Sequence, residues 1–215
     1  MARPKTTEWY FQQGLPYAGR WEMPLVRRQD VDLDGLALIR FSDCVRDESR
    51  DLDATVHFFI DDARFDEVWN DPEGHVAELA QYKQVMSPDF SLFVDTPVPL
   101  QFVNTLRSRW CGAYWQAQGL TVIPTINWSD GRSYDFCFEG VERGSVVAVA
   151  TLGSRDVKSW YLRSFRELCL AIRPEAVVCY GEPFPEMSDH AEVIEVPYAR
   201  DRRVARRSSG VGGGW

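Results

Sequence analysis

The stretch from residue 86 to 130, MSPDFSLFVDTPVPLQFVNTLRSRWCGAYWQAQGLTVIPTINWSD, reads as strand, long amphipathic helix and strand. A strand that returns to a parallel neighbour through a helix commits the chain to a right-handed crossover and a helix-covered sheet. The same alternation recurs on both sides. LALIRF (36–41) and ATVHFFI (54–60) read as buried strands, and DARFDEVWN and EGHVAELAQYKQV as helical pieces between the second of these and Pro88. FSLFV (90–94) is the expected third strand and LTVIPTI (120–126) the fourth, with Pro124 forbidding one ladder hydrogen bond. SVVAVATLG (145–153), AVVCYG (176–181) and VIEVPYA (193–199) complete the set, the last as an edge strand because of Pro197.

The helices have readable ends. Thr96-Pro97 looks like a cap, Pro99 moves the start of the long helix toward Leu100, and Gly119 stops it. Phe102, Val103, Leu106, Trp110, Ala113 and Tyr114 mark its apolar side. Asp156 is placed to cap VKSWYLRSFRELCLAI, which Arg173-Pro174 ends. The expected fold class is α/β, a mainly parallel sheet flanked by helices, either open and doubly wound or closed into a small (β/α)-barrel-like arrangement.

At 215 residues the chain fits one domain. Residues 1–34 carry Trp9, Tyr10, Phe11, Tyr17 and Trp21 without a regular period, which predicts an irregular aromatic segment packed on a domain spanning 35–199. Residues 200–215 read as a flexible basic, glycine-rich tail. Five arginines against Asp201 give 200–207 a charge of +4, which leaves −12 of the net −8 for the remainder. An acidic body repels nucleic acid, so only the tail is a candidate nucleic-acid arm.

No apolar run approaches the roughly 20 residues of a membrane span, so no membrane is an expected partner. The N-terminus lacks an apolar signal region, making the cytoplasm the expected compartment. Cys44, Cys111, Cys137, Cys169 and Cys179 form no C-x-x-C pair, against a disulfide framework or a zinc site.

Ligands of parallel α/β proteins bind at the carboxyl ends of the strands. Those ends carry Asp43, Asp61 and Asp62, Asp95, Asn127 with Trp128 and Asp130, Thr151 and Gly153, and Tyr180 with Glu182. Carboxylates around an aromatic ring suit a divalent metal, a polyhydroxylated or nucleobase ligand, or paired acid–base chemistry. The same acids also serve as ordinary caps and turn formers. Asp61, Asp95 and Asp130 are the candidate catalytic or metal-holding groups, and Asp89, Asn104, Arg107, Asn127, Trp128 and Tyr180 the candidate substrate-binding ones. Arg107 or Arg109 can pair with Asp89 or Asp95. His57 reads as a core residue, and His75 and His190 are isolated. No G-x-G-x-x-G, Walker or G-x-S-x-G motif is present, so no motif names a cofactor.

SPDFSLFVDTP (87–97), NTLRSRWCGAYWQAQGLTVIPTINW (104–128) and FCFEGVERGSVVAVATLG (136–153) resemble a domain-of-unknown-function family of bacteria, plasmids, mobile elements and phages. The resemblance covers most of 35–182 and is carried by motifs of the type S-P-D-F-S and Y-W-Q-x-x-G-x-x-V-I-P. It implies a phage or mobile-element setting and work in replication, host takeover or nucleic-acid metabolism. It supplies no reaction, cofactor or catalytic residue. Two functional classes stay open: a hydrolase- or transferase-like enzyme acting on a nucleotide, nucleic acid or other polar substrate, with Trp128 stacking on the ligand; and a non-catalytic protein that binds a host protein, or nucleic acid through its tail.

Overall fold

The computed structural model describes residues 5–44 and 52–198. The basic, glycine-rich tail, the candidate nucleic-acid arm, therefore lies outside the described residues. The chain opens with helix α1 (Thr7–Phe11) and a hairpin of β1 (Tyr17–Ala18) and β2 (Met23–Pro24). Then follow β3 (Leu38–Arg40), α2 (Phe41–Cys44), β4 (Thr55–His57), α3 (Glu67–Asn70), α4 (Val76–Leu79) and β5 (Gln84–Met86). The long helix α5 (Val98–Ala117) leads to β6 (Val122–Ile123), and β7 (Val147–Ala150), α6 (Lys158–Ile172), β8 (Val177–Tyr180) and β9 (Val193–Val196) complete the order.

Two parallel ladders, β3-β4-β5-β6 and β7-β8-β9, run in strict sequence order. A parallel bridge between Thr125 and Ala148 joins them. Ala148 N–H donates to the Pro124 carbonyl at 2.9 Å and Ile126 N–H to the Ala148 carbonyl at 2.8 Å. A doubly wound sheet must reverse its strand order at a switch point; here the order never reverses, so the winding is that of a barrel.

Side-chain alternation agrees. Val56, Val85 and Val122 face outward onto Cys111, Tyr114 and Trp115 of α5, while Val147, Val149 and Val177 face Phe165, Leu168 and Ile172 of α6. The alternate positions, Leu38, Met86, Ile123, Ala148, Val178 and Val196, form one inner cluster that includes both the first and the last parallel strand. Among the described residues no ladder joins β3 to β9, so the seven strands make an incomplete barrel around an apolar centre. The five cysteines are free, and among the described residues no helix is long and apolar enough to cross a membrane.

Several elements differ from expectation. The third strand is Gln84–Met86, with Gln84 buried and its amide spent on the Asp32 carbonyl and Thr55 Oγ1. A strand that carries a buried amide looks like a helix end in sequence. The 90–94 run is irregular, and its rings serve packing: Phe90 is buried under the Arg107 guanidinium at 4.3 Å, whereas Phe93 is exposed. Helix α5 begins at Val98, because Pro99 in its first turn gives up an N–H that no helix uses. Asp156 sits in a 3-10 turn before α6 and makes no cap. The N-terminal segment is a short helix and hairpin whose rings pack on α5, with Trp9 5.6 Å from Trp110 and Tyr10 stacked on Trp69 at 4.3 Å.

Candidate functional site

Helix α5 is the wall against which the site is built, and its first three turns bury polar side chains. Gln101, Thr105, Ser108 and Arg109 are all sealed from solvent. Burial of these groups requires partners. Gln101 donates to the Phe93 and Thr96 carbonyls, and Ser108 shares a hydrogen bond with Ser87 just after β5. Arg109 spends its donors on the carbonyls of Thr125 (2.9 Å), Cys137 (2.7 Å) and Glu139 (2.9 Å). The guanidinium thus ties α5 to the end of β6 and to the 136–139 turns, and burial pulls its pKa down to about 10.

Above this floor, at the carboxyl ends of β4 to β7, lies a cavity of about 460 Å³. Phe59, Ile60 and Asp61 enter it from the end of β4; Asp89 and Ser91 from beyond β5; Ile126, Asn127 and Trp128 from beyond β6. Ala150 to Ser154 supply the β7 side, and Trp160 and Tyr161 project from the first turns of α6. Trp128 and Tyr161 meet at 5.0 Å with their planes at 57°. The Tyr161 hydroxyl donates to the Ala150 carbonyl at 3.1 Å, and burial holds its pKa well above that of a free phenol.

Asp89 is the electrostatic centre of the cavity. Burial, then the neighbouring negative charge of Asp62, push its pKa up to about 7, against the opposing effects of Asn127 and Arg109. Asn127 Nδ2 donates to Asp89 Oδ1 and to the Phe90 carbonyl, both at 2.8 Å, which fixes the carboxyl in place. Asp62 is held just behind by Ser91, which donates its N–H at 3.0 Å and its hydroxyl at 2.7 Å. A carboxyl of this kind exchanges a proton near neutrality, as an acid–base group must.

The other candidates from sequence are placed as follows. Asp61, Asp89, Asn127 and Trp128 share the cavity. Asp95 stands on an exposed turn outside it, because the chain leaves the sheet at Met86 and not at Val94. Asp130 also stands outside, gripped by Arg132, whose side-chain hydrogen bonds lower the carboxyl pKa. Asn104 donates to the Ser91 carbonyl at 2.8 Å, and Arg107 pairs with Asp66, so both brace the wall from behind; Arg109 makes backbone contacts in place of the expected carboxylate pair. Tyr180 is buried in the inner cluster one layer below, stacked on the lining residue Phe59 at 5.2 Å. No group of three or more metal-ligating side chains occurs among the described residues.

Trp160, Tyr161 and Phe59 are not among the residues the sequence singles out for the site. In sequence the first two are indistinguishable from the packing stripe of α6.

Sequential parallel strands, a helical layer and a cavity at the strand carboxyl ends define the class: an α/β protein with barrel-type winding. The chain belongs to the family described as Domain of unknown function (DUF4417), which matches residues 15–197. The match reaches back over the β1-β2 hairpin, so most of the N-terminal segment is part of the family's fold. The chain is 39% identical over 162 residues to the "Gene 1 protein" of Mycobacterium phage L5, covering 74% of this chain and 71% of that protein. It is 38% identical over 152 residues to the "Gene 1 protein" of Mycobacterium phage D29, covering 69% of this chain and 56% of that one. No solved structure matches it.

Proposed function

We propose that the chain is an enzyme of hydrolase or transferase type that moves a proton on a small polar substrate held in the cavity at the carboxyl ends of β4–β7. Asp89 is the general acid–base, Asn127 positions it, and Trp128 stacks on the substrate. The observation that carries this reading is the Asp89 carboxyl itself, pushed up to about 7 inside a cavity that it lines. Structural ion pairs lower a carboxyl's pKa; burial beside a second carboxylate raises it, which costs stability and is retained where proton transfer is needed. The volume lies within the roughly 300–1,000 Å³ range of small-molecule sites, too small to enclose a duplex nucleic acid. Asp61 is the second carboxylate in reach of a bound molecule.

The test compares wild type and Asp89→Asn across chromogenic esters, amides and glycosides, alongside carboxyl-carbon NMR of Asp89. Turnover that the variant lacks, with an Asp89 midpoint near 7, supports the reading. Equal turnover by the two proteins, or none by either, or a midpoint near 4, overturns it.

A second reading, binding of a host protein, rests on a groove of about 320 Å³ on the opposite side of α5, lined by Tyr10, Phe11, Tyr17, Trp69 and Trp110. Phe11 and Tyr17 there are 70% and 42% exposed, so the groove offers adjoining ring surface to a partner. Phe11→Ser separates the two readings: it abolishes host-protein capture under this second reading and leaves the cavity's chemistry intact under the first.

A further inference from the structure

The charged side chains lining the cavity, Asp61 and Asp89, are both carboxylates, and Asp62 adds a third just behind Ser91. Among the described residues the surrounding cations are committed elsewhere, Arg64 donating to Ser42 Oγ at 3.0 Å. Arg107 pairs with Asp66, Arg132 with Asp130, Arg155 with Glu182 at 3.0 Å and Lys158 with Glu186 at 2.6 Å. Arg109 is sealed under the floor by backbone carbonyls. Much of the remaining wall is ring surface, with Phe59, Trp128, Trp160 and Tyr161 contributing. Ring faces carry negative electrostatic potential and attract cations. A phosphate or carboxylate would enter against like charge with no cation among the described lining residues; an ammonium or guanidinium would meet carboxylates and π faces together.

We infer that the cavity selects an organic cation, an amine or guanidine carried on a flat or apolar body, over any phosphate-bearing ligand. This deepens the proton-transfer reading and rests on it for the chemistry, though not for the binding. The flat body stacks in the corner that Trp128 and Tyr161 form, and the cationic end reaches the Asp61–Asp89 side. A cation bound there holds Asp89 ionised. The groups facing Asp89 are Asp62 from beyond β4, Asn127 from beyond β6, Arg109 from α5 and Tyr161 from α6. Among these, Asp62 and the burial hold the proton on Asp89 near neutrality, so cation binding expels that proton and tightens as pH rises from about 6 to about 8.

Isothermal titration calorimetry on the full chain tests this with three probes that share an indole body: tryptamine, tryptophol and indole-3-acetate. The expected order near neutral pH is tryptamine tightest, tryptophol at least roughly tenfold weaker, and indole-3-acetate weakest. Asp89→Asn removes most of tryptamine's advantage and leaves tryptophol unchanged. Asp61→Asn, on an exposed side chain, gives the same direction without disturbing the core. Heats of tryptamine binding in buffers of different ionisation enthalpy should show proton release near pH 7. Indole-3-acetate or AMP binding as tightly as tryptamine overturns the inference, as does absence of binding by tryptamine, agmatine and spermidine alike. The two proposals fail separately. Anion preference with Asp89 titrating near 7 removes the cation site and keeps the proton-transfer role. Tryptamine binding with Asp89 titrating near 4 does the reverse.

Discussion

Replacing Asp89 with asparagine should make the protein more stable above neutral pH and leave it almost unchanged in acid. The carboxyl titrates near 7 in the folded chain and at about 3.9 once unfolded. Between those values the folded state holds a proton that the unfolded state has released, so stability falls as pH rises through that window. At about 1.4 kcal/mol per pH unit, the ceiling on the loss is ~4 kcal/mol. Asp89 is half-buried and faces an open cavity, and water at its mouth relaxes part of that cost, so about 2 kcal/mol is expected. Asn127 Nδ2 now donates to Asp89 Oδ1, and an asparagine side chain offers an acceptor in the same position, so the substitution removes the charge without orphaning its partner.

The assay is urea unfolding of the two proteins, followed by the fluorescence of the eight tryptophans, at a series of pH values from about 3.5 to about 8. The difference between variant and wild type, not either curve alone, isolates Asp89 from every other titrating group. It should be near zero at the acid end and grow toward about 2 kcal/mol in favour of the variant at the alkaline end. A difference that stays flat with pH, or a variant less stable than wild type near pH 8, refutes the assignment of a raised pKa to this carboxyl.

Arg109→Met leaves the Thr125, Cys137 and Glu139 carbonyls without their donor; at about 1–3 kcal/mol each the loss is roughly 3–9 kcal/mol by urea midpoint, and a loss under ~1 would show that the clamp is dispensable. It also removes a positive charge that favours ionised Asp89, so the NMR midpoint of that carboxyl should rise further. Gly181 adopts φ +99°, and a Cβ there would stand 2.5 Å from the Tyr198 hydroxyl and 2.8 Å from Thr151 Oγ1; Gly181→Ala should lower the thermal midpoint clearly, by a loss of more than about 1 kcal/mol. Asp95→Asn should leave tryptamine affinity within roughly twofold, since Asp95 stands outside the cavity, and a larger loss measured by calorimetry would bring that side chain into the site.

What the letters revealed of this fold follows physical lines. Apolar β-branched runs ended by polar residues located six of the seven barrel strands, because burial on both faces leaves a continuous signature. The exception, Gln84–Met86, carries an amide whose partners come from β4 and from Asp32; only tertiary contacts make that glutamine a strand residue. Asp89 reads in sequence as a substrate-binding candidate, but its raised pKa comes first from its burial and then from Asp62, brought close through Ser91. That proximity joins residues 62 and 89, which local sequence pattern does not connect. The strand-end rule points to Asp95 only if a strand ends at Val94, where the chain is in fact irregular, and it points to Asp130 without registering that Arg132 pairs with that carboxylate outside the cavity.

The position of the cavity follows from a weakness in the sheet. Strand β6 pairs with β5 over only two residues, and Pro124 then brings no N–H to the ladder. The link to β7 narrows to the Thr125–Ala148 bridge. Backbone groups stranded at such a seam must still find partners. Here side chains supply them: Ser87 Oγ accepts from Thr125 N–H at 2.9 Å, and Arg109 Nη1 donates to the Thr125 carbonyl at 2.9 Å. With the backbone satisfied from below, the chain beyond Ile126 is free to leave the sheet, carrying Asn127 to Asp89 and Trp128 to Tyr161. A strand that continued in register would have filled the space that the cavity occupies. The buried arginine, the proline and the short strand are each unfavourable choices for a sheet taken alone. Together they open it at the one edge where the perturbed carboxyl stands, and a fold selected for stability alone would have no reason to combine them.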